Sequence, residues 1–264
     1  MLVFGSLLIL SLRQMYFLNE INIKLGYKNN IFIFLSGLSA LITPVGGGEA
    51  IKFHYVKKNF SGSYSQTLPI IVLERLFDLS AIILIVGIIS VFVEIPESRI
   101  IVIVLFLFIM GVFTVIRNPK LFSILIKIGS RINFLKNNIS QLTESYTTIT
   151  RIVMPKPLTI GFVLSIMAWI LQALAIFLCF QSFQLNTDFL TSVSLTFTSM
   201  IIGVMTMIPG GLGVTELSMT GFFLHYGIPE KIVPSLVLLI RLVTIWFSTL
   251  VGFITIQFLT VRKK

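Results

Sequence analysis

The sequence predicts an all-α, polytopic integral membrane protein. Of its 264 residues, 56% are hydrophobic and 11% charged, the mean hydropathy is +1.00, and the apolar stretches are continuous instead of alternating. Such a composition cannot be wrapped around a soluble core. Spanning strands would show short dyad-repeat segments, whereas continuous runs suit helices, which satisfy their own backbone groups in lipid.

Five runs approach the ~20 residues that a spanning helix needs: 1–18, 67–93, 99–116, 157–182 and 232–258. The first has no basic n-region and no small-residue cleavage site, so it reads as a span and not a secretory signal. Between the first two spans lies the segment 31–58, interrupted by Thr43-Pro44-Val45-Gly46-Gly47-Gly48-Glu49. A matching interruption, Ile208-Pro209-Gly210-Gly211-Leu212-Gly213-Val214-Thr215-Glu216, divides the segment 189–226. Each predicts a re-entrant hairpin whose irregular backbone faces the protein interior, because lipid cannot satisfy it. In the 67–93 run, Pro69 is placed where a helix can start without losing a useful N–H.

The stretch 118–156 is too long for a structureless loop. Leu121, Leu125, Ile128, Ile132 and Leu135 share one helical face and Lys120, Lys127 and Arg131 another, the pattern of a helix lying in the interface over anionic lipid. A more polar helix follows through Leu142, Tyr146, Ile149 and Val153. The chain is thus a single transmembrane domain with halves at about 1–116 and 157–264, joined by these interfacial helices.

Charge sets the orientation. Lys24, Lys28, Lys52, Lys57 and Lys58 flank the first hairpin, seven basic residues face Glu144 alone between Arg117 and Lys156, and the chain ends Arg262-Lys263-Lys264. These regions are expected in the cytoplasm, with the connections near Glu94, Glu97 and Arg99, near Asp188 and near Glu230 and Lys231 outside. The net charge of +10 is then a topology signal and needs no nucleic acid. Three spans separate the two hairpins, so the repeats are expected to be inverted.

Little supports redox, metal or nucleotide chemistry. Cys179 is the single cysteine, His54 and His225 have no ligand-spaced neighbours, and no GK[ST] context accompanies the glycines. No cofactor is expected. His54 and His225 read as interfacial or packed residues, and Trp169 and Trp246 as packing or interface anchors.

The chemistry lies in buried charge beside broken helices. Glu49 precedes Arg75 by 26 residues, and Glu216 precedes Arg241 by 25. The run Leu73-Glu74-Arg75-Leu76-Phe77-Asp78 puts three ionisable groups on an apolar helix, where each costs about 2.5–3.5 kcal/mol at the bilayer centre. Arg75 and Asp78 are spaced to pair on their own helix, whereas Glu74 and Asp78 would repel, so one acid needs another partner or a proton. Arg241 has no acid within four residues and needs a distant partner, for which Glu216 is the candidate, with Glu49 the counterpart for Arg75. Pro44, Gly46, Gly47, Gly48, Pro209, Gly210, Gly211 and Gly213 supply hinges and backbone donors that attract phosphate or carboxylate.

Through these same motifs the chain resembles the lysylphosphatidylglycerol synthase transmembrane-region family, also called the flippase-like domain family. The resemblance covers nearly the whole chain. It implies a flippase module without the fused aminoacyl-transfer domain, hence no lysyl transferase activity; such proteins usually carry one more apolar helix before the position of the 1–18 segment, which this sequence does not show. Some stand-alone relatives are associated with glycosyltransferases or polyprenyl-linked sugars.

The expected function is transport, not catalysis: an amphipathic phospholipid or polyprenyl-linked lipid crosses between leaflets of the plasma membrane, with Glu49, Glu74, Arg75, Asp78, Glu216 and Arg241 forming the binding site. The alternatives are a non-transporting partner of a separate synthase or glycosyltransferase, and an intramembrane enzyme using Glu74 and Asp78 as acid and base.

Overall fold

The computed structural model describes residues 1–41, 51–52, 54–57, 63–93, 95–123 and 139–261. The first glycine break with Pro44, Gly46, Gly47, Gly48 and Glu49, the centre of the basic interfacial segment with Lys127, and the terminal Arg262-Lys263-Lys264 lie outside the described residues.

The protein is an all-α polytopic membrane protein. The principal helices are α1 (Leu2–Glu20), α2 (Tyr27–Gly37) with a 3-10 turn at Leu38–Ala40, α3 (Tyr64–Phe92), α4 (Pro96–Arg117), α5 (Ile139–Ile152), α6 (Pro155–Ser182), α7 (Phe189–Met205), α8 (Val214–His225), α9 (Val233–Arg241) and α10 (Phe247–Val261). A π turn at Leu242–Trp246 joins the last two into one span. Among the described residues, five helical stretches are long and apolar enough to cross a membrane: Leu2–Glu20, Ser65–Phe92, Ser98–Arg117, Pro155–Ser182 and Val233–Phe258. These match the sequence-derived spans to within a few residues.

The start of α3 corrects one expectation. Pro69 lies inside this helix, which begins at Tyr64 under a capping box formed by Ser63 and Gln66. A proline there cannot donate to the carbonyl four residues back, Ser65 O. Ser145 of α5 fills that role, its hydroxyl donating to Ser65 O at 2.9 Å. Beside it, Glu144 accepts from the Ser63 hydroxyl at 3.2 Å and from the Ser65 hydroxyl. The second interfacial helix is therefore docked onto the first turns of α3, and Ile152 and Val153 are buried against α1 and α3.

The second hairpin turns back on itself. Phe189 at the start of α7 lies 5.5 Å from Phe177 of α6, and Phe223 near the end of α8 lies 5.2 Å from Phe180. The two hairpin ends thus meet one stretch of α6, as a re-entrant pair requires. Asp188 caps α7 by accepting from Thr191 N at 3.0 Å. At the tip, Gly210, Gly211 and Gly213 have φ of 63°, 62° and 82°, the left-handed region where a side chain is strained.

Close approach of backbones fixes the bundle. Gly161 of α6 receives the Phe17 ring of α1, and Gly252 of α10 lies directly on the backbone of Leu38 and Ser39 in the 3-10 turn that follows α2. Helix α4 stands at the rim: only 11% of its spanning window is buried.

Candidate functional site

Helix α3 turns its charges in two directions. Glu74 is buried and meets Lys52, Nζ to Oε2 at 3.4 Å; Lys52 also lies 4.6 Å over the Phe34 ring. Together with Gln14, Thr67 and Ile70 they line a small pocket of their own. Arg75 and Asp78 instead line a different cavity of about 270 Å³. The two acids therefore face separate pockets, and the acid and base pairing of Glu74 with Asp78 is not assembled.

The cavity lies between the two halves. Its wall includes Arg75, Asp78 and Ile82 of α3, Trp169 and Gln172 of α6, Gly210, Gly211 and Thr215 of the second hairpin, and Arg241, Thr244 and Ser248 of the last span. Arg75 lies ten residues into its spanning window and Arg241 eight into its own, or about 15 and 12 Å at ~1.5 Å per residue. In spans that must cross a ~30 Å hydrocarbon layer, both positions fall well away from the helix ends.

Arg241 finds the partner expected of it. Its Nε donates to Glu216 Oε1 at 2.7 Å, and a terminal guanidinium N–H donates to Gly210 O at 2.7 Å. The arginine thus ties the last span to the glycine break and to the helix that follows it. The fit is close: a Cβ on Gly203 or Gly211 would run into the Thr215 hydroxyl, so glycine at both positions lets α7 and α8 touch at the hairpin tip. The π turn begins at the residue after Arg241; π bulges occur frequently at functional sites.

Asp78 is not reserved for Arg75, as their local spacing suggested. Its Oδ1 accepts from Arg13 at 2.6 Å and from the Trp169 indole at 3.2 Å. Arg13 also donates to Ser165 Oγ at 2.5 Å and is 1% exposed. The crowding of Glu74 and Asp78 is resolved by two cations, Lys52 and Arg13, neither of them local to α3.

The family profile described as the lysylphosphatidylglycerol synthase TM region matches residues 1–252. The chain belongs to this family. Among similar proteins, a UPF0104 membrane protein of Methanothermobacter thermautotrophicus is 30% identical over 42% of this chain, a match that spans 31% of that relative's length. A UPF0104 membrane protein of Pyrococcus horikoshii is 24% identical over 94% of this chain and 82% of its own length, and one of Methanocaldococcus jannaschii is 24% identical over 84% and 94% respectively. No solved structure matches the chain.

Within this family member, Arg13, Ser165, Trp169 and Lys52 are the site neighbours that sequence reasoning missed. Arg13 carried a usable signal: it is a lone cation inside an apolar run, with no acid within four residues, the same argument that singled out Arg241. Trp169, expected to be an anchor, lines the cavity. Glu49 and the first glycine break fall outside the described residues, so the pairing expected for Arg75 does too.

Proposed function

We propose that this protein moves an amphipathic lipid between membrane leaflets, its head group crossing through the cavity that holds Arg75 and Arg241. The observation that carries this reading is the convergence of these two arginines, one from each half of the chain, on a single cavity at membrane depth beside a glycine-broken hairpin. A cation in hydrocarbon is costly and marks a substrate or ion path by default. Broken helices in corresponding places of two halves point to the binding site of a transporter.

The chemistry favours a phosphate-bearing head group. Arginine presents five N–H donors in a planar fork suited to phosphate, and Arg241 spends two of them on Glu216 and Gly210. The Gly210–Gly211 backbone lies alongside. At about 270 Å³ the cavity falls near the lower end of the ~300–1,000 Å³ typical of ligand pockets. That suits a head group whose acyl or polyprenyl chains stay in the bilayer, which avoids transferring the charged group through hydrocarbon. In this reading the protein is not an enzyme, the repeats are inverted, the plasma membrane is its location, and the basic segments and C-terminus are cytoplasmic. A separate synthase or glycosyltransferase supplying the lipid is a partner of the same proposal.

The test is leaflet exchange of fluorescent phospholipids and of a polyprenyl phosphate in proteoliposomes. The wild-type protein accelerates exchange of at least one of them, and folded Arg241→Gln does not. Full activity of Arg241→Gln would reduce the arginine to a structural role. No exchange of any lipid by wild type would favour a non-transporting partner of a synthase.

A further inference from the structure

The Asp78 carboxylate is held from one side only. Its Oδ1 accepts from both Arg13 and Trp169, and Oδ2 has no hydrogen-bond partner among the described residues. The side chain is 12% exposed and lines the cavity that also contains Arg75 and Arg241. Arg13 is locked in turn by Ser165, whose own hydroxyl also reaches Gly161 O at 2.8 Å. An acceptor is therefore fixed in the cavity wall, one helical turn from Arg75 on the same face of α3, where side chains three apart are neighbours.

We infer that Asp78, positioned by Arg13 and Trp169, selects head groups that carry an N–H or O–H donor beside their phosphate. The inference rests on the lipid-transport reading and adds a discrimination to it. The arginines hold the phosphate, and Asp78 Oδ2 accepts from an ammonium or hydroxyl a few bonds away. Phosphatidylethanolamine meets both demands. Phosphatidylcholine has the same phosphate and the same net charge, but its quaternary ammonium has no N–H to give. Arg13 is a positioning residue: it touches Asp78 and not the cavity ligand. One guanidinium nitrogen, Nη1, donates to both Asp78 Oδ1 and Ser165 Oγ, a placement set by the planar guanidinium that a flexible lysine ammonium does not fix in the same way.

Trp169 makes the inference measurable. The chain has two tryptophans, and Trp246→Phe leaves Trp169 as the only indole, hydrogen-bonded to Asp78 at the cavity wall. Short-chain phosphatidylethanolamine and phosphatidylcholine are titrated into this variant in detergent while its fluorescence is followed. Phosphatidylethanolamine is expected to bind at least about tenfold more tightly, the loss typical of one hydrogen bond to a charged group. Asp78→Asn should shrink the preference to within about threefold. Arg13→Lys keeps the positive charge and should retain binding with a reduced preference, whereas a purely structural role for Arg13 would lower thermal stability and leave the ratio unchanged.

Equal binding of the two lipids by the parent variant overturns the inference and leaves the transport reading standing. Tighter binding of phosphatidylcholine overturns it too, and would make Trp169 a cation–π seat for the choline group. Water-soluble glycerophosphoethanolamine binding as tightly as the lipid would identify a free solute as the ligand, and this outcome overturns the lipid assignment. Failure of both lipids, and of their long-chain forms, to titrate at all counts against the transport reading and the inference together.

Discussion

Arg241 donates to Glu216 Oε1 at 2.7 Å across 25 residues of chain, and its terminal guanidinium N–H closes on the carbonyl of Gly210 in the intervening glycine break. The pair joins the last span to the hairpin on which the proposed transport depends. Arg241 is 6% exposed in its side chain and Glu216 31%, so the interaction is neither fully buried nor a surface pair. Removing one partner of a fully buried pair costs about 3–5 kcal/mol. Screening around Glu216 brings the expected cost of Arg241→Gln or Glu216→Gln to about 1–3 kcal/mol. Thermal unfolding in detergent should show the double variant less destabilised than the sum of the two singles. Strict additivity would mean that the two side chains do not cooperate.

Pro69 and Ser145 form a second coupled pair, joined by a missing donor. The proline leaves Ser65 O without its helical partner, and the Ser145 hydroxyl replaces it at 2.9 Å. Ser145→Ala should cost about 1 kcal/mol in the parent protein. In a Pro69→Ala background, where the helix regains its N–H, the same substitution should cost measurably less. An identical cost in both backgrounds would show that Ser145 stabilises by some other contact.

Gly252 tests how closely the last span presses on the first hairpin. A Cβ there would meet the backbone of Leu38 and Ser39, and backbone cannot rotate away as a side-chain tip can. Gly252→Ala should lower the unfolding midpoint clearly, with overpacking costs of about 1–3 kcal/mol. Gly111→Ala is the control, because its Cβ would enter open space and alanine is the better helix former by about 1 kcal/mol. Equal effects would remove the close crossing from the account of the fold.

The spans, the second hairpin and the Glu216 to Arg241 pair were legible in the sequence because each is written in a continuous stretch or in a repeated spacing. Asp78 was misread for the opposite reason. Local spacing offered Arg75 three residues away, but Arg13, 65 residues distant in the chain and buried in α1, takes its Oδ1. A single arginine hardly lowers the hydropathy of an otherwise apolar run, so the first span read as featureless. Lys52 escaped notice similarly: as one of several lysines around the first hairpin it read as a topology marker, and only tertiary packing brings it to Glu74. The start of α3 was displaced because proline was taken as the initiating residue, when the capping box at Ser63 and Gln66 holds the true first turn and a serine from another helix makes an interior proline tolerable.

Helix α6 offers the simplest check of orientation. It runs 28 residues, or about 42 Å at ~1.5 Å per residue, longer than the ~30 Å hydrocarbon layer, so its two ends must emerge on opposite sides. Lys156 at its start and Asn186 beyond its end are both exposed. The basic residues Arg117, Lys120, Arg151 and Lys156 cluster toward the first end and should hold it in the cytoplasm. In a Cys179→Ser background, Lys156→Cys should resist an impermeant maleimide in intact cells and react after permeabilisation, while Asn186→Cys should react in both. The reverse pattern would invert the protein and place the second hairpin's opening on the cytoplasmic side. Labelling of both positions in intact cells would mean that α6 does not cross, which would overturn the five-span architecture and with it the placement of Arg75 and Arg241 at membrane depth.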